Sequence, residues 1–300
     1  ARSFTFAPTD DTSFTLRAQD QRDRGGSTYQ CLPMTGTLVP TNGGTIAHDA
    51  YLGEPDWNRF DRNQLLIAAL FSHKFSPSLT WRSQARYTYA DSLYQVSVLS
   101  GDTVTTPATC ARIVRCILGQ TIQRRAVQGD GYTHGMAMDN QLEGRFSTGG
   151  IDHVLLAGTD YFHTTWQHHR DSVSPAVVLP LLDIFNPVPR GSAAYATSLI
   201  PAIYTRSNGE QVGVYGQDQM SIGDLRVTVG GRYDWADETQ VDQLTNTRTR
   251  IKADAFTWRA GAVYLFDNGL APYLTYATSF QPSSGQYYDG KAFDPTTGQQ

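Results

Sequence analysis

The chain has 300 residues, with 24 Lys and Arg against 28 Asp and Glu, for a formal net charge of -4. This balance leaves no basic footprint for nucleic acid, and no run approaches the ~18 apolar residues of a membrane-spanning helix. The composition, 40% hydrophobic and 17% charged, is polar on average, as a transmembrane β-barrel would also be, because only alternate residues of its strands face lipid.

The chain opens Ala1-Arg2-Ser3, with neither an initiator Met nor a signal peptide. That is expected of an exported protein or of a chain that starts within a longer one. A tight turn at Pro8-Thr9-Asp10-Asp11 precedes a long connection near 24–62. The most apolar stretch, 65–71, is of strand length. After the turn Ser76-Pro77-Ser78, the segment 79–89 alternates with period two. Leu79, Trp81, Ala85, Tyr87 and Tyr89 share one face, and Thr80, Arg82, Gln84, Arg86 and Thr88 share the other.

A second long connection, 96–123, contains Cys110 and Cys116, spaced for a small disulfide loop in an oxidising compartment. Two separate thiols are the plainer alternative, and Cys31 has no evident partner. Past the turn Ser147-Thr148-Gly149-Gly150, residues 153–166 mix polar and apolar side chains on both faces, so their orientation stays open. A third long connection, 169–208, follows. In 211–222, Asp218 interrupts an otherwise apolar row, marking either the end of a lipid-facing band or a register off by one.

Beyond Gly223-Asp224 the alternation is cleanest. Val227, Val229, Tyr233 and Trp235 oppose Arg226, Thr228, Arg232 and Asp234. After a long connection near 239–252, Phe256, Trp258, Ala260, Ala262, Tyr264 and Phe266 alternate with Thr257, Arg259 and Gly261. The turn Asp267-Asn268-Gly269 leads to Leu274, Tyr276 and Phe280.

Short and long connections therefore alternate along the chain, as they do between the two sides of outer-membrane barrels. Phe71, Phe75, Trp81, Tyr264, Phe266 and Tyr273 lie near the tight turns, where an interfacial girdle belongs. The sequence predicts an all-β, antiparallel transmembrane β-barrel of about ten strands in the bacterial outer membrane. Barrels with plugged lumens have about twenty-two, so this would be a partial barrel.

The segments Gly213-Val214-Tyr215-Gly216-Gln217-Asp218-Gln219, Gly230-Gly231-Arg232-Tyr233-Asp234-Trp235-Ala236-Asp237 and Phe256-Thr257-Trp258-Arg259 resemble the barrel of TonB-dependent siderophore receptors. So do Tyr264-Leu265-Phe266-Asp267-Asn268-Gly269 and Ser279-Phe280-Gln281-Pro282-Ser283-Ser284. The pattern is nearest to the ferric hydroxamate (ferrichrome) type. The resemblance implies that residues 1–300 are a portion of such a barrel, without its N-terminal plug and later strands. It also implies import of a ferric siderophore, energised by the TonB complex through an N-terminal segment outside this chain. Outer-membrane lipid would be the remaining partner, and no resident cofactor is expected.

A ferric siderophore satisfies its metal with its own oxygens, so its receptor supplies stacking area and a few donors rather than metal ligands. The resemblance places Tyr29 in the ligand pocket, although Cys31 stands where the family pattern has a Trp. Tyr94 and Phe185 are further candidates. The plainer reading of each is an ordinary loop or girdle aromatic. His153, His163, His168 and His169 read as a solvated or lumen-facing set rather than a metal site, and no hydrolase or phosphate-loop motif occurs. The lumen-facing Arg82, Arg86, Arg226, Arg232 and Arg259 are expected to meet plug carboxylates and water. A passive porin-like channel is the competing class.

Overall fold

Period-two patterning lets each strand give one face to lipid and the other to the lumen, so successive strands pair without a separate hydrophobic core. The computed structural model describes all residues except 28–30, 42, 175–180, 190, 197–198, 284, 286 and 292. The strands are β1 (Arg2–Thr9), β2 (Thr12–Gly25), β3 (Arg59–Ser76), β4 (Leu79–Leu99), β5 (Thr121–Ile122), β6 (Arg124–Thr148) and β7 (Ile151–Val173), followed by β8 (Leu182–Asp183), β9 (Leu199–Ile222), β10 (Leu225–Asp242), β11 (Thr247–Tyr264), β12 (Tyr273–Gln281) and β13 (Thr296–Gln299). All except β5 and β8 form one 11-stranded antiparallel meander in the order β1-β2-β3-β4-β6-β7-β9-β10-β11-β12-β13. The strand count is close to the ten expected. The one-turn helices Pro107–Cys110 and Ala193–Ala196 lie in the long loops.

Tight hairpins close one end of the meander. At Gly149 and Gly150 both φ values are positive, 57° and 84°. This is the two-residue turn whose twist matches the strands, and a side chain there would strain it. The other end carries the long loops, with one correction. Residues 239–252 are not a long loop. β10 runs to Asp242 and β11 starts at Thr247, and the Asp242 carboxylate accepts from the N–H groups of Leu244 and Thr245 to cap a short turn. The loop-like composition of this stretch conceals a tall hairpin, held by cross-strand pairs such as Arg250 with Asp237. Short and long connections thus do not alternate strictly.

Paired residues share a face, so the register orients every strand. One outward row runs Leu155–Asp218–Val229–Ala260. Ile67, Trp235 and Phe256 on the same face are 41%, 48% and 62% exposed, a band suited to lipid rather than water. Phe75, Trp81 and Tyr264 face outward beside the tight turns, as the expected girdle requires, whereas Tyr273, the register partner of Val263, lies on the opposite, lumen-side face. Asp218 is therefore not a register error. It faces outward, with its Oδ2 2.7 Å from His153 Nδ1, and His153 Nε2 lies 2.9 Å from the Thr148 hydroxyl.

The register also settles 153–166. His163 shares the outward face with His153, and His168 faces the lumen. Among the described residues no group of His, Cys, Asp or Glu could hold a metal ion. On the lumen face, Arg82 and Arg232 find partners within the wall itself. Arg82 pairs with Glu143 at 2.7 Å, and Arg232 is held by Asp160 and Asp234. The bare backbone of Gly213 leaves room for the Arg232 guanidinium between those two carboxylates.

The buried apolar core lies in the loops above the barrel. Ile46, Leu52, Ile122, Leu182 and Ile184 form one cluster, with Phe185 packed on its edge. Trp57, Ala126 and Tyr195 form a second, the rings of Trp57 and Tyr195 stacked at 5.7 Å. Glu54 and Arg124, both with fully buried side chains, pair at 3.1 Å. Asn58 adds a clasp, accepting from the Ser97 N–H at 2.8 Å. Burial pushes the Tyr195 phenol up, so it stays a donor at neutral pH. Cys110 and Cys116 are joined by a disulfide, with Cα atoms 5.3 Å apart, and Cys31 is free and exposed.

Candidate ligand site on the inner wall

Tyr87 and Tyr89 face outward around His134, with Tyr87 Oη 2.9 Å from its Nδ1, and mark the outer aromatic level of the wall. β4 continues beyond them to Leu99, so its last turns of alternation stand above the membrane band. On the lumen side of this upper wall, one register row crosses four strands: Phe60 on β3, Tyr94 on β4, Gly129 on β6 and Arg170 on β7. The row below it runs Arg62–Ser92–Gly131–His168.

The glycines shape this wall. A β-carbon at Gly129 would enter the Tyr94 ring, so its absence lets the phenol lie flat across β6. Tyr94 Oη reaches toward His168 Nε2 at 3.4 Å, and the two rings are roughly parallel, with centroids 6.5 Å apart. Phe60 and Tyr94 then separate two hollows. The first, about 390 Å³, is lined by Phe60, Tyr94, Val96, Arg125, Val127 and Arg170, among others. The second, about 280 Å³, adds Arg62, Trp166 and His168. This combination offers stacking faces, apolar wall and donors to a bulky ligand with a polar rim.

A larger hollow of about 530 Å³ lies at membrane level around Asp139, Asp160, Tyr215, Arg232 and Arg259. Its polar groups already satisfy one another. Tyr215 Oη donates to Asp139 at 2.6 Å, Arg232 is held by two carboxylates, and Arg259 donates to Gln217. It reads as lumen lining rather than a ligand seat.

Of the sequence candidates, Tyr94 lies in the upper-wall site. Tyr29 falls outside the described residues, although Ser27, close before it in the chain, lines the first hollow. Phe185 is elsewhere. It lines neither hollow and packs in the loop core, where a β-carbon at Gly43 would collide with its ring. Sequence reasoning missed Phe60, Trp166, His168, Arg125 and Arg170 as site residues. Their only local signal is the Gly129/Gly131 pair, which marks a strand face left bare for neighbouring side chains.

A family model described as "TonB dependent receptor-like, beta-barrel" matches residues 2–300. The ferrichrome outer membrane transporter/phage receptor of Escherichia coli K12 is 34% identical over 320 residues, covering 100% of this chain and 41% of that protein. The ferrioxamine B receptor of Salmonella typhimurium LT2 is also 34% identical, covering 99% of this chain and 40% of its own length. The chain thus spans about two fifths of these relatives. The solved ferric-catecholate import receptor Fiu of Escherichia coli K12 superposes with a TM-score of 0.77 at 19% identity, over 98% of this chain and 46% of that one. The siderophore receptor PiuA of Acinetobacter baumannii gives a TM-score of 0.79 at 15% identity, over 99% of this chain and 45% of that one. The two latter likenesses establish the shared barrel architecture, and the match over residues 2–300 with whole-chain identity of 34% places this chain in the outer-membrane TonB-dependent receptor β-barrel family.

Proposed function

We propose that this chain is part of the barrel of an outer-membrane importer of ferric siderophores of hydroxamate type, energised through the TonB complex. The described sheet has two edges, β1 and β13. Unpaired strand edges are not tolerated in lipid, so the working barrel needs further strands, together with a plug and a TonB-engaging segment. The observation that carries the reading is the Phe60–Tyr94–Gly129–Arg170 row, an aromatic and cationic wall on the lumen side above the membrane band. The ferrichrome and ferrioxamine B receptors among its relatives support the hydroxamate class.

Tyr94 supplies a stacking face, and Tyr29 a second aromatic contact from the first long loop. Phe185 contributes by packing on the edge of the loop core. The ferric ion travels as cargo inside its own ligand shell, and the protein acts as a receptor and transporter rather than an enzyme. A porin-like channel finds no support in this family membership.

Titrating the full-length receptor with a ferric hydroxamate, read by intrinsic fluorescence, tests the site. Tyr94→Ala and Tyr29→Ala are each expected to weaken binding by about 1–3 kcal/mol, as for truncating a buried aromatic at a hot spot. Unchanged affinity in both variants would sink the reading. Uptake of the labelled complex should also stop when the TonB complex is removed, and continued uptake would point to passive passage.

A further inference from the structure

We propose that the hollow beside Tyr94 selects a ferric siderophore carrying net negative charge, with Arg125 and Arg170 receiving a pendant carboxylate; the inference rests on the siderophore reading above. Both arginines line this hollow, and among its described lining residues there is no carboxylate. Two of the acids nearby are already engaged: Asp130 Oδ1 lies 3.1 Å from His169 Nδ1, and Asp23 pairs with Arg62 at 2.9 Å. Arg170 Nε is buried in the wall without a hydrogen-bond partner.

A buried guanidinium N–H without a hydrogen-bond partner is costly. Its planar fork matches a carboxylate in two parallel hydrogen bonds. The remaining lining is apolar, with Val96 and Val127 register partners on adjacent strands. Those side chains suit the hydrocarbon arms of a chelate, not a second charge.

The chemistry of the cargo decides which part of it the arginines read. Three hydroxamates neutralise Fe³⁺, so the chelate core is uncharged. Discrimination must come from a pendant group. A carboxylate is attracted by the two cations and an ammonium is repelled. The wall therefore separates this chain from a receptor selecting ferrioxamine B, whose free amine makes the complex cationic.

Ferrioxamine B, its N-acetyl derivative and its N-succinyl derivative test this on one scaffold with a cationic, neutral or anionic tail. Affinity for full-length receptor in detergent is read by fluorescence quenching. The succinyl form is expected to bind about tenfold tighter than the acetyl form, and the ammonium form weakest. The gap should shrink between about 50 mM and about 500 mM salt as the charges are screened. The Arg125→Gln/Arg170→Gln double variant should bind all three forms alike, whatever their common affinity. Arg125→Gln alone, at an exposed position, should narrow the gap about threefold, which keeps the test open should the double variant misfold. Equal affinities in the wild type, preference for the ammonium form, or a preference that survives the substitutions overturns the inference. If none of the three forms binds, the siderophore reading itself falls and this inference with it.

Discussion

Tyr94 lies across Gly129, its register partner on β6, so closely that a β-carbon at position 129 would occupy the phenol ring. Gly129→Ala must therefore push the ring off the wall toward the hollow. Overpacking a tight site costs about 1–3 kcal/mol, but here one side of the ring is open and the ring gives way first. Gly129→Ala should cost nearly as much ferric hydroxamate affinity as Tyr94→Ala, with the thermal transition of the barrel almost unmoved. Wild-type affinity in a folded Gly129→Ala receptor would show that the ring position does not matter to binding.

The buried pair Glu54–Arg124 ties the first long loop to the base of β6, and Glu54 Oε1 also accepts from the Gly191 N–H at 3.0 Å in a third loop. Removing one charge strands the other in a dry site, at a cost of about 3–5 kcal/mol, whereas replacing both with apolar groups costs far less. Arg124→Met alone should raise amide exchange through residues 43–58 and 121–127. Glu54→Leu/Arg124→Met should restore much of the protection. Equal exchange in the single and double variants would mean that the pair does not hold the loops.

His153 and Asp218 form the polar break in the outward face. A carboxylate facing lipid is tolerated only with a partner. His153→Ala leaves Asp218 unpaired, and the barrel should lose about 1–3 kcal/mol in urea-induced unfolding from lipid vesicles. Adding Asp218→Val should return most of that loss. A His153→Ala barrel as stable as wild type would show that water at the interface already satisfies Asp218.

How much was legible beforehand depended on distance along the chain. Residues 225–235 could be read because period-two alternation is local and lipid enforces it. Residues 239–252 could not, because Asp237 and Arg250 are typical of loops individually and stabilise a strand only once the hairpin brings them together. Asp218 looked like a possible register error because its partner, His153, comes from another strand. The long loops looked like irregular connections. Their apolar residues, Ile46, Leu52, Ile122 and Ile184, form a core only by meeting across three separate segments.

By itself, the sequence determined the outer-membrane barrel wall, the two faces of its cleanest strands and most of its tight hairpins, because strand periodicity and turn geometry depend on near neighbours. Its motifs also carried the family. Tertiary structure alone decided which side chains share the upper wall. Phe60, Tyr94, Gly129 and Arg170 lie on four different strands, and only the inter-strand register, a long-range property, brings them into one row.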